Sequence, residues 1–492
     1  MPSLKTAAVR ALAIGAAVAL LIPVTIVAVF AVQARVRLGE LRSWHRVVLV
    51  SEFRAGRPDT PKTFEDYLRL EERLFAELRS RVLTNPAAAD TSVLGRYNPA
   101  SIPSRLAFDT PYNRSYELVP ATVRGAVLLV HGLSDSPYSM RAMAELFRDQ
   151  GFYVLVLRLP GHGTIPSGLV DVRWQDWSAA VELAARHVAQ RAGPDHPFYA
   201  GGFSTGAALT TLYAVRALND PKLPRPSRLV LVSAAIGISK AAVLTKILSG
   251  LSFLPYFEKS RWLDVLPEYD PYKYNSFPVN AAAQIHALTL ELRDALDAGR
   301  ASGRLSEMPR VLVFQSLVDA TITAHEVVSG LLLKLPAAGN ELVIFDVNRS
   351  EALHGLIEES LVQGLARIRE APALPFRLTL VANSDPSSLD VAAYTREPGS
   401  RATAKTELGL SWPKGVLSLG HLALPFAGDD PVYGLTPKPD GFPAYPLGSL
   451  TVRGEAGTLV VPLSNLARLR SNPFFAVVHD RVVAAIEADR AR

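Results

Sequence analysis

There is no cysteine anywhere in the 492 residues. Disulfides, thiolate nucleophiles and cysteine-ligated metals are thereby excluded, as is a lipid anchor attached through an N-terminal cysteine. The absence does not choose a compartment, because a cysteine-free chain tolerates oxidising and reducing surroundings alike. Internal repeats and low-complexity tracts are also missing. Charge is modest, with 20% of residues charged and a net charge of +6. Much of the excess sits near the N-terminus, at Lys5, Arg10, Arg35, Arg37, Arg42 and Arg46, and no basic stripe interleaves with aromatics. Nucleic acid is therefore not an expected partner. No His/Asp/Glu cluster has metal-ligand spacing, so neither a metal nor an organic cofactor is expected. What remains is a chain 49% hydrophobic, long enough for one large domain with additions or for two to three ordinary ones.

The first long feature is Ala11 to Val32, apolar throughout except for Thr25. As a helix, such a run spans a bilayer core of about 30 Å. Pro23 within it is tolerated in a membrane helix. A cleaved signal peptide ending near Val32-Gln33-Ala34 is the rival, but the run is long for that role. Residues 1–35 are thus expected to be a single-pass transmembrane anchor. Basic residues flank both ends, and their count slightly favours a cytoplasmic C-terminal side. A short N-terminal tail in a signal-anchor arrangement would instead export the rest of the chain. Export from a bacterial inner membrane is the expectation taken here. Residues 36–120 read as a membrane-proximal helical segment. Within it Phe64, Tyr67, Leu68, Leu74, Phe75 and Leu78 recur at helical spacing after the start signal Thr63.

From Arg124 onward apolar strands alternate with helices, the signature of an α/β protein with a mostly parallel central sheet and helices on both faces. The strands are Ala126–Val130, Tyr153–Leu157, a run ending at Phe203, Arg228–Ser233, Val311–Phe314 and Leu342–Phe345. This core spans residues 121–370. Residues 238–306 interrupt the rhythm with short runs of Leu, Phe, Tyr and Pro, and read as a cap over a pocket. Residues 371–492 are an extension expected to pack on the core, with strand-like runs at Arg377–Val381, Gly415–Leu419 and Thr458–Val461.

The chemistry centres on Gly202-Phe203-Ser204-Thr205-Gly206, which follows a strand and opens a helix. In that setting the sharp turn lifts the Ser204 hydroxyl clear of the sheet, making it a nucleophile. Glycines flank it because a Cβ at either place would crowd the turn. The Thr205 N–H at the helix N-terminus points where an oxyanion would form. The second oxyanion donor is expected at Leu133, in His131-Gly132-Leu133-Ser134-Asp135-Ser136-Pro137 after a buried strand. His131 and His162 precede the nucleophile and read as structural. The acid is expected at Asp319, in the loop after Val311–Phe314. Two histidines compete as base. His421 precedes a loop pinned by Pro and Gly and rich in Asp. The alternative, His354, lies thirty-five residues after Asp319 but within a helix-like run.

His131–Pro137, Leu157–Thr164 and Gly202–Gly206 together resemble the α/β-hydrolase fold, and within it the monoacylglycerol lipase and serine aminopeptidase-like branch. The resemblance covers roughly residues 115–360. It implies Ser204 as nucleophile, Leu133 and Thr205 as oxyanion donors and Asp319 as acid. The family's histidine follows the last core strand, and here Asn348 to Ser350 hold none. The extension resembles the tail of larger bacterial members, in which a histidine before a Leu-Pro-Phe and Asp-Asp-Pro stretch recurs, and this favours His421. The function expected is a membrane-anchored serine hydrolase cleaving lipid or acylglycerol esters. A peptidase of the same fold, or an inactive binding module, are the alternatives.

Overall fold

The computed structural model describes residues 38–237, 255–318, 324–337, 339–350, 359–371, 374–439, 441–450 and 461–491, and isolated positions besides. The expected membrane helix at 11–32 lies outside those residues. Among the described residues no helix is long and apolar enough to cross a membrane.

The frame is one ten-stranded sheet in the order β1-β3-β2-β4-β5-β8-β9-β10-β11-β12. Its strands are β1 Tyr116–Leu118, β2 Gly125–Val130, β3 Phe152–Leu157, β4 Phe198–Phe203, β5 Arg228–Val232, β8 Arg310–Ser316, β9 Glu341–Phe345, β10 Arg377–Asn383, β11 Asp390–Arg396 and β12 Thr403–Ser411. β6 Trp262–Asp264 and β7 Phe277–Pro278 form a separate small ribbon. From β3 across to β10 every neighbouring pair is parallel, and β1, β11 and β12 pair antiparallel at the two edges. Strand order reverses at β2, with β3 on one side and β4 on the other. A crevice opens beyond the carboxyl ends of parallel strands at such a reversal, and ligands bind there.

The central strands are largely continuous apolar runs because both faces are covered. Leu128, Val130, Leu229 and Leu231 pack on one face beneath the helices Trp174–Ala192, Thr205–Ala217 and Val279–Ala301. Val127, Leu129, Val230 and Val232 pack on the other, with the helices Arg141–Asp149 and Phe475–Arg490. The C-terminal helix is fastened there by Asp489, which accepts from Arg228 and Arg310 at 2.7 Å each.

The helix Phe64–Leu78 forms as its spacing requires. Thr63 caps it by accepting from the Asp66 N–H at 3.1 Å, and Phe64, Tyr67, Leu74, Phe75 and Leu78 are buried. Phe64 and Tyr67 join the main core, and a buried ion cluster adds to that attachment. Arg158, at the end of β3, lies 3.1 Å from Glu52 and 3.4 Å from Glu71, all three buried. Tyr67 adds a hydrogen bond to the Arg158 carbonyl at 2.6 Å. Burial pushes the Glu71 carboxyl up and Arg158 draws it back. Burial also disfavours the Arg158 cation, yet Glu52 and its neighbours hold it above its ordinary value.

The insertion and the tail differ from their sequence readings. Residues 238–254 of the expected cap lie outside the described residues. Residues 258–278 reach the loops after β2 and β3, where Tyr274 bonds Ser134 and Thr164. Val279–Ala301 instead joins the core, burying Ile285, Leu288, Leu292 and Leu296. Gly415–Leu419 is not a strand, nor is the described part of Thr458–Val461. The carbonyls of Val416 and Leu417 accept from Asn348, and that of Leu419 from Ser316, so the segment lies across the ends of β8 and β9. β12 has no apolar alternation to mark it as a strand, because it is an edge strand with an exposed, charged surface. Gly409, at φ 64°, sits where the β11–β12 register slips.

Replacing Arg158 by Met leaves two buried carboxylates without their cation. It should destabilise the protein by about 3–5 kcal/mol, read as a lower thermal midpoint. Arg69→Met, which removes an exposed pair with Asp66, should leave the midpoint unchanged.

Candidate active site

β4 delivers Ser204 at φ 52° and ψ −111°, immediately before the helix Thr205–Ala217. A non-glycine residue there carries about 1–3 kcal/mol of backbone strain. Neighbours hold it in place. The Ser204 N–H donates to Val232 O at 2.9 Å, and its carbonyl accepts from Ala208 at 3.2 Å and Ala235 at 3.3 Å. A Cβ on Gly202 would lie 2.3 Å from the Gly206 carbonyl carbon, and one on Gly206 would lie 2.0 Å from Val130 O. The second contact seats the turn against the end of β2, where the loop His131–Pro137 begins.

In that loop the His131 ring is spoken for. Its Nδ1 donates to Gly132 O at 2.8 Å and its Nε2 accepts from the Leu159 N–H at 3.0 Å. Burial, then His162 and Arg158, hold its pKa well below the usual value, so it stays neutral. His162 donates from Nδ1 to Pro160 O at 3.0 Å, and burial lowers its pKa to about 3. Ser134 stands at φ 63°, and Ser233, just after β5, at φ 45°. With Ser204 these are the non-glycine residues of positive φ among those described, and each follows the carboxyl end of a central strand. Neither the Leu133 N–H nor the Thr205 N–H donates a hydrogen bond to a described residue.

His421 opens the short turn His421–Ala423 after the segment lying across β8 and β9. Its ring centroid is 5.7 Å from that of Phe203, the residue before Ser204. It also lines a cavity of about 350 Å³ shared with Ser134, Asp135, Lys273 and Phe426. Ser204 is not among the residues lining that cavity and is 9% exposed. Asp319 and His354 lie outside the described residues. The described chain reaches Val318, whose N–H donates to Ser316 Oγ at 3.2 Å. Ser204, Thr205, Leu133 and His421 are therefore gathered at the carboxyl edge of the sheet.

Two groups of the site escaped sequence reading. Asp135 sits inside the recognised loop, and Lys273 pairs with it at 2.9 Å from the aromatic run Tyr269–Tyr274. Lys273 is one of several charged residues in that stretch, so nothing local in the sequence singled it out.

The reversal of strand order at β2, the strained serine after β4 and the paired loop after β2 define an α/β-hydrolase fold. Residues 121–324 match the family described as serine aminopeptidase, S33. Over 172 residues the chain is 30% identical to the thermostable monoacylglycerol lipase of Bacillus sp. (strain H-257), covering 35% of this chain. The chain spans 64% of the length of that relative. Among solved structures, one of metagenome-derived lipolytic enzymes is 23% identical, with a TM-score of 0.39, covering 53% of this chain and 98% of the other. The monoacylglycerol lipase of Paleococcus ferrophilus is 17% identical, with a TM-score of 0.35, covering 51% of this chain and 99% of the other. The resemblance read from the three motifs is borne out for the segment they occupy.

A methyl group at Gly206 should cost about 1–3 kcal/mol of stability by overpacking, measured as a lower thermal midpoint of Gly206→Ala. Gly428→Ala, whose methyl would meet nothing nearer than 3.8 Å, should melt with the wild type.

Proposed function

We propose that this chain is a serine hydrolase of carboxylic esters, with lipid or acylglycerol esters as substrates. The observation that carries this reading is Ser204 in its strained turn, beside two backbone N–H groups with no partner among the described residues. In the proposed mechanism Ser204 Oγ attacks the ester carbonyl while His421 takes the hydroxyl proton. The oxyanion forms between the N–H groups of Leu133 and Thr205. Collapse expels the alcohol, protonated by the imidazolium, and leaves an acyl group on Ser204. Water activated by the same histidine then releases the acid. Asp319 is assigned to orient the imidazole. The position of His421 beside Phe203 supports it as base over His354.

The lipid substrate is supported by the Bacillus relative named a monoacylglycerol lipase. The name of the matched family favours a second reading, hydrolysis of short peptides. The apolar run 11–32 supports single-pass anchoring in a membrane, and placing the hydrolase on the exported side of a bacterial inner membrane is part of the same proposal. No cofactor enters the proposed reaction.

A fluorophosphonate should label the wild type and not Ser204→Ala; equal labelling of both would overturn the assignment. Hydrolysis of short nitrophenyl esters without cleavage of aminoacyl anilides would support esterase over peptidase. His421→Ala should lose about 10³-fold or more in kcat while His354→Ala stays near wild type. The reverse result would move the base to His354.

A further inference from the structure

Two bonds tie the loop that carries Leu133 to the segment crossing above it. The Tyr274 N–H donates to Ser134 O at 2.8 Å, and Lys273 Nζ lies 2.9 Å from Asp135 Oδ1. Both anchors are themselves fixed. Asp270 Oδ1 accepts from the N–H groups of Tyr272 at 3.1 Å and Lys273 at 3.2 Å. The Tyr274 hydroxyl accepts from the Thr164 N–H at 2.8 Å and donates to Gly161 O at 3.1 Å. Ser134, at φ 63°, is a strained link that needs such restraint.

Asp135 also brings a carboxylate into the cavity that His421 lines. The Asp135 side chain is 7% exposed and that of Lys273 26%. Burial pushes the Asp135 carboxyl up, Lys273 and then His421 draw it down, and Asp270 pushes it up again. The cavity holds other ions, and Asp135 alone among its carboxylates lies on the loop leaving β2. Asp270 is paired with Arg470 at 3.3 Å, and Asp264 and Arg468 are exposed to solvent, which screens them.

We infer that Lys273 and Asp135 are positioning residues of the proposed hydrolase. Their ion pair fixes the loop that presents the Leu133 N–H, and the Asp135 carboxylate stabilises the imidazolium that forms on His421 during attack. A segment of the insertion thus completes a site whose nucleophile lies in the core. The inference rests on the reading of His421 as the base.

The test is the kinetics of the full chain in detergent, on a short nitrophenyl ester. Lys273→Met should lower kcat about tenfold with KM within about twofold, as an interaction felt only in the transition state requires. Lys273→Arg should restore most of it. Asp135→Asn keeps the side chain's shape, removes the anion and should lower kcat to a similar extent. Should Lys273→Met fail to fold around its buried carboxylate, the double variant Asp135→Asn/Lys273→Met removes both charges and should show the lower kcat. Wild-type kcat in Asp135→Asn, or variants that change only the thermal midpoint, would overturn the inference. His421→Ala run in parallel separates the two failures. Near wild-type turnover in His421→Ala defeats the base assignment itself, while lost turnover there with unchanged kcat in Lys273→Met and Asp135→Asn defeats this inference alone.

Discussion

The site depends on two strand ends meeting with no room between them. Gly206 lies against the last carbonyl of β2, and Gly202 lies against Gly206, so that neither position can carry a side chain. Val130 and Gly202 are register partners in adjacent parallel strands. The loop leaving β2 and the turn leaving β4 are therefore forced side by side. One approach fixes both the strained serine and the start of the helix that follows it. Stability and geometry are inseparable here. The strain at Ser204 persists because the sheet on both sides, through Val232 and Val130, over-determines it.

Around this pair the chain returns to the same edge from distant points. Tyr274 comes back to Ser134, and Lys273 to Asp135, from the insertion. His421 arrives from the C-terminal segment, across the ends of β8 and β9. That segment can hold such a position because it is built into the frame. β10 continues the parallel sheet beyond β9, and the last helix covers one face with Asp489 gripping Arg228 and Arg310. A residue offered from so firmly held a segment can act in the proposed chemistry although it lies outside the part of the chain that matches the family.

The sequence showed most clearly what local patterns specify. Continuous apolar runs revealed the buried parallel strands, and strand, glycine-flanked serine and helix in succession revealed the turn. The structure adds that Gly206 clears a carbonyl of another strand and not its own turn alone. What was not legible depends on partners far away in the chain. The run 415–420 has a strand's composition, but its carbonyls are claimed by Ser316 and by Asn348, sixty-eight residues from Val416. Lys273 and Asp135 are separated by 138 residues, and neither has a local pattern that announces the other. β12 presents Lys405 and Glu407 to solvent at the sheet edge, which masks its alternation. The long helix Val279–Ala301 was absorbed into an expected cap because it interrupts the βα rhythm, although its apolar residues recur at core-helix spacing.

The most direct test is a crystal structure of the full chain after reaction with a fluorophosphonate. The phosphoryl group mimics the tetrahedral intermediate and shows where the site places an oxyanion. The adduct should be on Ser204 Oγ, with one phosphoryl oxygen about 2.7–3.1 Å from the N–H groups of both Leu133 and Thr205, and with the His421 ring facing Oγ. An adduct whose oxygen points away from both N–H groups, or one faced by a different histidine, would contradict the proposed site.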